Sequence, residues 1–363
     1  MTPETESRQD RRAALLRRHG YETTPERVFL QLEQGFGRAY AAQPTAELKI
    51  ALGPLVVRFR LAGEGLFGVM LLAFGHLKLA PETPYDAAID LYDSAATPGT
   101  DVIPGLPCAP SPWGLVVGDT DHRHFHDWRP GCDAALSLTQ ARIVGRWTDS
   151  RSLTHDELAK PLHRLLGGLL SARTTAMVHA ALIGDGSRGV LMAGIGGSGK
   201  STSALACWHA GMEFFGDDYV GARLEGEAVA GYSLFGNGLA EPAALARAGI
   251  VFDPSMVQAG PETEKHLFRL GVSDRPSRVR TAITAIVLPR VGPGGRTLVE
   301  PATGTEFLLA AGVQSTFVNV QNRRIALDVL AGIATRLPVW RLTLGTNLRE
   351  VVETIREILR SSA

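Results

Sequence analysis

"GVLMAGIGGSGKSTSALACWHAGMEFFGDDYV", residues Gly189–Val220, decides how the second half of this chain folds. An apolar run, a glycine-rich turn, a helix-forming run and a second apolar run ending in two carboxylates follow one another without a gap. Within it Gly194, Ile195, Gly196, Gly197, Ser198, Gly199, Lys200 and Ser201 fit G-x-x-x-x-G-K-[ST] at every fixed position, between a strand pattern and a helix pattern. The glycines have a physical reason. Backbone N–H groups converge on phosphate oxygens only at φ, ψ values that a Cβ forbids, and the helix N-terminus that follows adds its dipole. Such a loop binds ATP: Lys200 reaches the β- and γ-phosphates, the Ser201 hydroxyl ligates Mg2+, and Thr202 continues the cradle into the helix.

Asp217 and Asp218 stand only 17 positions after Lys200, one helix further on, at the end of "MEFF". A single crossover brings that strand back beside the loop. Side chains one residue apart on a strand point to opposite faces, so two adjacent carboxylates can divide the work between metal and nucleophile. Both are candidate catalytic groups with Lys200, and Asp218 is the candidate metal ligand beside Ser201. Spacing leaves open which of the two takes the proton. His179 interrupts the apolar strand "MVHAALIG" just upstream and is a further catalytic candidate.

Working outward, 363 residues point to two domains. With Lys+Arg 37 against Asp+Glu 37 there is no net charge to attract nucleic acid or an anionic membrane. The charged N-terminal stretch has no apolar core of a secretory leader, no apolar run reaches the ~20 residues that span a bilayer, and Cys108, Cys132 and Cys207 form no CxxC pair; a cytoplasmic protein is expected. Residues 1–150 read as a mostly antiparallel β domain for recognition, with turns at Gly53-Pro54 and Gly63-Glu64-Gly65. Within it "GLFGVMLLAFGHLKLA", Gly65–Ala80, reads as buried strands, and the Pro/Gly-rich stretch 95–112 as a loop or covering flap. His122, His124 and His126 alternate in "DTDHRHFHDW" as if to hold a metal, but without a Cys partner or HExxH pattern a polar hairpin loop is expected. Residues 151–363 form the ATP-binding domain with a mixed sheet, entered through one helix over Ser152–Ala172 capped by Thr154 with Glu157 and closed by the amphipathic helix "NLREVVETIREILRS". Arg290 at a strand end, Arg323 and Arg324 at a helix start, and Tyr232, Ser233 and Asn237 after the aspartates are weaker candidates for phosphate or acceptor contacts.

"VHAALIG", "GVLMAGIGGSGKS" and "GMEFFGDDYV" together resemble the catalytic domain of the HPr kinase/phosphorylase family, whose nucleotide fold is shared with phosphoenolpyruvate carboxykinase. The resemblance is sharp from Met177 to Val220 and implies an α+β or α/β fold and an ATP- and Mg2+-dependent phosphotransferase with an alcohol acceptor. His179, the loop and the Asp217-Asp218 pair fall on the family pattern; Lys265 matches a lysine that follows the acceptor region and would balance charge on the transferring phosphoryl group. Thr202 departs from the glutamate that the HPr enzymes carry there. The nearer likeness is therefore to members encoded with peptide natural-product pathways, which implies a serine-like hydroxyl on a peptide, protein or small molecule as acceptor; the HPr-kinase group tends to form ring-like homo-oligomers, which the resemblance extends to this chain as an expectation. A non-catalytic ATP-binding scaffold is the alternative; a carboxykinase lacks its second-metal ligands here.

Overall fold

The computed structural model describes residues 23–97, 115–118, 120–127, 131–247, 250–258, 265–270, 278–319 and 322–362. Two compact units are present: Met1–Leu48, Arg58–Phe67 and Asp86–Leu153 in the first, Lys49–Val57, Gly68–Tyr85 and Thr154–Ala363 in the second.

In the first unit helix α1 (Pro25–Ala42) starts where Thr24 accepts the Arg27 N–H and Pro25 supplies a preset φ. Its buried residues Val28, Phe29, Leu32, Phe36 and Ala39 recur every three to four positions and pack on Ala62, Tyr92, Ala135 and Val144. Those lie on a seven-stranded sheet of order β1-β2-β3-β7-β6-β5-β4, built from β1 (Thr45–Leu52), β2 (Leu55–Ala62), β3 (Ala87–Asp93), β4 (Leu115–Gly118), β5 (His122–Asp127), β6 (Cys132–Ser137) and β7 (Arg142–Trp147). From β4 to β7 the strands are antiparallel, while β3 runs parallel to β7. Expecting an essentially β region therefore overlooked α1.

The three histidines lie on β5, not in a polar loop. His126 faces Asp133 across the β5–β6 ladder, and its Nδ1 is 2.6 Å from Asp133 Oδ1, with His124 Nε2 at 3.3 Å from the same oxygen. The polarity of His124 and His126 is spent on this buried carboxylate of the next strand, while His122 lies 3.4 Å from Asp121. Among the described residues no grouping of His, Cys, Asp and Glu could hold a metal ion. Of the 95–112 stretch, the residues beyond Thr97 lie outside the described residues, as does Cys108.

The Gly65–Ala80 expectation fails too. Glu64–Phe74 is a helix, α2, followed by a 3-10 turn at Gly75–Leu77. Its apolar residues run without a polar interruption, so no period separates a buried helix from a buried strand. Likewise the helix expected over Ser152–Ala172 breaks in two, α3 (His155–Ala159) and α4 (His163–Ser171). Pro161 has no N–H to continue the ladder, and Leu162 turns the chain at φ 58°. The Thr154–Glu157 capping box is formed.

In the second unit a nine-stranded sheet comprises β8 (Ala176–Val178), β9 (Ala180–Asp185), β10 (Arg188–Ala193), β11 (Glu213–Gly216), β12 (Val220–Glu225), β13 (Ala228–Tyr232), β17 (Arg280–Val291), β18 (Leu298–Ala302) and β19 (Val339–Leu344), ordered β11-β9-β10-β17-β13-β12-β8, with β19 pairing β17 and β18. The sheet is mixed: β10 with β17 and β17 with β19 are parallel, the other pairs antiparallel. A second, three-stranded sheet holds β14 (Asn237–Ala240), β16 (His266–Arg269) and β15 (Val257–Gln258). Alternate residues of the central strands feed opposite cores. Ile183, Val190, Met192 and Val287 meet α5 (Lys200–His209) and α9 (Leu348–Ser361); Leu182, Leu191, Ile286 and Leu288 meet α7 (Gly304–Val318) and α8 (Arg323–Arg336). Between β14 and β15 lies the short α6 (Pro242–Arg247). The second unit is thus a three-layer α/β arrangement with helices on both faces of a mixed sheet. No described helix is long and apolar enough to cross a membrane.

Candidate functional site

Register alone assembles the site. β9 is antiparallel to β10 and pairs Ala180 with Ala193, so His179, one residue before, lies beside Gly194 where the loop begins. β11 is antiparallel to β9 and pairs Gly216 with Leu182. β10 and β11 therefore run the same way with β9 between them, and both end on one sheet edge. On the far side of His179, β8 pairs Val178 with Val220 of β12. The break between β8 and β9 at His179 thus faces the break between β11 and β12, which is Asp217–Tyr219. A carboxylate pair follows the loop so soon because a single helix returns the chain to the edge from which the loop springs.

The aspartates lie beyond the end of β11 rather than on it, so the alternating-face argument does not govern them. Asp218 takes the left-handed conformation, φ 67°, which Asp tolerates better than most side chains. The Asp217 carboxyl is 4% exposed, and neither oxygen makes a hydrogen bond of normal geometry among the described residues. Burial first, and the neighbouring Asp218 second, push it up to about 6; Ser201 and Lys200 pull the other way. For Asp218 burial alone would raise the pKa, but Lys160 overrides it and holds the carboxyl well below the usual range. The two adjacent carboxyls are driven apart, one toward neutrality and one firmly ionised, the pattern by which environment assigns separate acid–base roles.

In the loop Gly194 and Ser198 are buried while Ile195, Gly196 and Gly197 are exposed, Ile195 at 72%. Gly197 and Gly199 take φ 79° and 96°, and a Cβ on Gly199 would stand 2.3 Å from Leu344 Cδ1. Gly199→Ala is accordingly expected to destabilise the fold by ~1–3 kcal/mol through backbone strain in the loop; denaturant melts of the variant beside wild type check it. Lys200 is 6% exposed and folds back so that its Nζ donates to the carbonyls of Gly194 and Ile195. Those are weak acceptors, and phosphate oxygens would replace them. Burial lowers its pKa while Asp217 and Asp218 act in the opposite sense. Ser201 and Thr202 open α5, both half-buried.

His179 is held by its own N–H, which donates to Ser315 Oγ at 2.9 Å, and its ring stands edge-on to Tyr219 with centroids 5.4 Å apart. Burial, aided by Lys200 and Lys160 against Asp218, lowers its pKa to about 4, so it is neutral at pH 7. Lys265 is exposed just before β16, and its charge acts on both Asp218 and Lys200.

Sequence reasoning passed over Lys160. Its Nζ lies 2.5 Å from Asp218 Oδ2 and 2.8 Å from Asp156 Oδ1, with the side chain 11% exposed, and stands 5.6 Å over the Tyr219 ring. His163 stacks on that same ring, centroids 5.6 Å apart. The one available signal was the i, i+4 Asp156/Lys160 pair ahead of Pro161. The weaker candidates are used inside the fold: Tyr232 Oη donates to Glu225, Ser233 Oγ is 2.7 Å from His76 Nε2, and Asn237 contacts the Leu158 carbonyl. Arg290 donates to Thr343, and Arg323 and Arg324 begin α8.

Comparison with solved structures returns the HPr(Ser) kinase/phosphatase from Coxiella burnetii, with 14% identity, 51% of this chain and 96% of that chain covered, and a TM-score of 0.30. That is a distant structural likeness to a kinase. No family model matches the chain, and no curated protein does.

Proposed function

We propose that the second unit binds ATP with Mg2+ at Gly194–Ser201 and transfers the γ-phosphoryl group to a serine-like hydroxyl on a peptide, protein or small molecule. The observation that carries this is Asp217: a buried carboxyl with no hydrogen bond of normal geometry among the described residues, poised near pKa 6 at the edge where the loop ends. A protein that merely holds nucleotide needs the loop but not a desolvated base, whose burial is costly unless a partner arrives.

The residues fit a hard divalent cation. Ser201 Oγ and Asp218 would supply oxygen donors of the kind that Mg2+ takes, with the buried Asp217 carboxyl adjacent in sequence. When bound, Mg2+ neutralises charge on the β- and γ-phosphates. Lys200 leaves the loop carbonyls for the phosphates, and the loop N–H groups hold the β-phosphate. Asp217 accepts the proton of the acceptor hydroxyl as its oxygen attacks phosphorus in line with departing ADP. Neutral His179 offers a hydrogen bond without adding charge, and Lys265 adds positive charge on the acceptor side.

A base poised near 6 gives a specific pH dependence. Below that value Asp217 carries its proton and cannot accept another, so kcat/KM is expected to rise about tenfold per pH unit below pH ~6 and level above it. A profile of transfer from γ-labelled ATP between pH 4.5 and 8 checks this; a flat profile contradicts it.

A further inference from the structure

Lys160 is the feature that this chemistry does not require. Its ammonium sits on the carboxylate that would ligate the metal, yet it has a second acceptor, Asp156, one helical turn back in α3 and 2.8 Å away. The ammonium bridges both carboxylates in the structure, so a side-chain rotation that gives up Asp218 can keep Asp156. A divalent cation reaching Asp218 would stand within a few ångströms of this ammonium, and the two repel strongly in a partly buried site. The neighbouring Asp217 carboxyl, 4% exposed and without a hydrogen bond of normal geometry among the described residues, leaves room at the same place for a positive ligand.

We propose that Lys160 is a positioning residue that guards the carboxylate pair: without nucleotide its ammonium occupies Asp218, and it withdraws to Asp156 when the metal arrives with ATP. This rests on the assignment of ATP and Mg2+ to the loop. The triphosphate brings the negative charge that outweighs the repulsion, so metal enters as the nucleotide complex and not alone. Asp156, with its side chain 58% exposed, takes the displaced charge, which is therefore never left buried without a partner.

The test uses the full chain and Mn2+ as probe, with free ion read from its paramagnetic resonance signal, with and without ATP. Wild type is expected to bind Mn2+ alone weakly, and Lys160→Met to bind it ~10-fold more tightly, while Lys160→Arg stays as wild type. With ATP present Lys160→Met and wild type should agree within ~3-fold, and Asp156→Asn should bind Mn2+ ~3- to 10-fold more weakly than wild type because the lysine has lost its second acceptor. If Lys160→Met does not fold, Lys160→Gln carries the same comparison. Unchanged Mn2+ affinity on removing the ammonium overturns the guarding role, and an unaffected Asp156→Asn overturns the withdrawal. Failure of wild type to bind ATP would sink the nucleotide assignment instead, which the Mn2+-only comparison keeps separate.

Discussion

On the proposed function, replacing Asp217 by Asn is expected to slow phosphoryl transfer ~10²- to 10⁴-fold, the span that a positioned general base supplies, with ATP binding retained. The same substitution makes the nucleotide-free protein more stable at neutral pH. Asp217 is desolvated beyond what Ser201 and Lys200 offset, and its folded pKa, about 6, lies above that of an unfolded carboxyl. A group raised in this sense contributes stability that is fully present below the unfolded value and is lost as pH rises through the folded one. Above pH 6 wild type therefore carries a buried charge that Asn does not. Two pKa units set the scale at ~1–3 kcal/mol. Denaturant melts at pH 8 and pH 4 check it: the Asn variant's advantage at pH 8 should shrink toward zero at pH 4. Gain in stability joined to loss of transfer is the signature of a charge kept for chemistry. A residue serving only the fold would lose stability when altered.

The largest expected effect on folding lies in the first unit. Asp133 is fully buried on β6; Arg146 donates to its Oδ2 from Nε and Nη2 at 3.0 and 2.8 Å, and His124 and His126 face its Oδ1. Asp133→Asn removes the charge that Arg146 was folded around, and breaking a buried pair from one side costs ~3–5 kcal/mol. Guanidinium melts at pH 7 measure this. Burial alone would raise the Asp133 pKa, but hydrogen bonds from His124 and His126 reverse that and hold it well below the usual carboxylate range. With the folded pKa depressed, the contribution is present above the unfolded value near ~4 and disappears only as pH falls through the lowered one. Asp133 and Asp217 thus have opposite pH linkages, and the Asp133→Asn deficit should be constant from pH 5 to 8.

What could be read in the sequence follows from how local its cause was. The loop, α5, the Thr154 capping box, β17, β19 and the closing helix α9 are each set by a short motif or a clear period, and the structure has them where those signals lie. Elements governed by tertiary placement were not legible. Glu64–Phe74 is apolar on every side, which hides its helical period. His124 and His126 on β5 are polar by type but satisfied by a carboxylate from the next strand. Lys160 lies far from the aspartates in sequence, and no local motif joins it to Asp218. For the site, spacing indicated which groups gather, but not that one aspartate is stripped of partners while the other is clamped. That division comes from burial and a distant lysine, and neither is written beside the motif.

The most direct test of Asp217 as the base is transfer of label from γ-labelled ATP, with Mg2+, to a panel of serine-containing peptides, small alcohols and water, comparing wild type with Asp217→Asn at matched ATP occupancy. The expected result is acceptor-dependent transfer by wild type at pH 8, reduced at least ~10²-fold in the variant. Equal transfer by both proteins, or nucleotide bound by wild type with no transfer to any member of the panel, would contradict it.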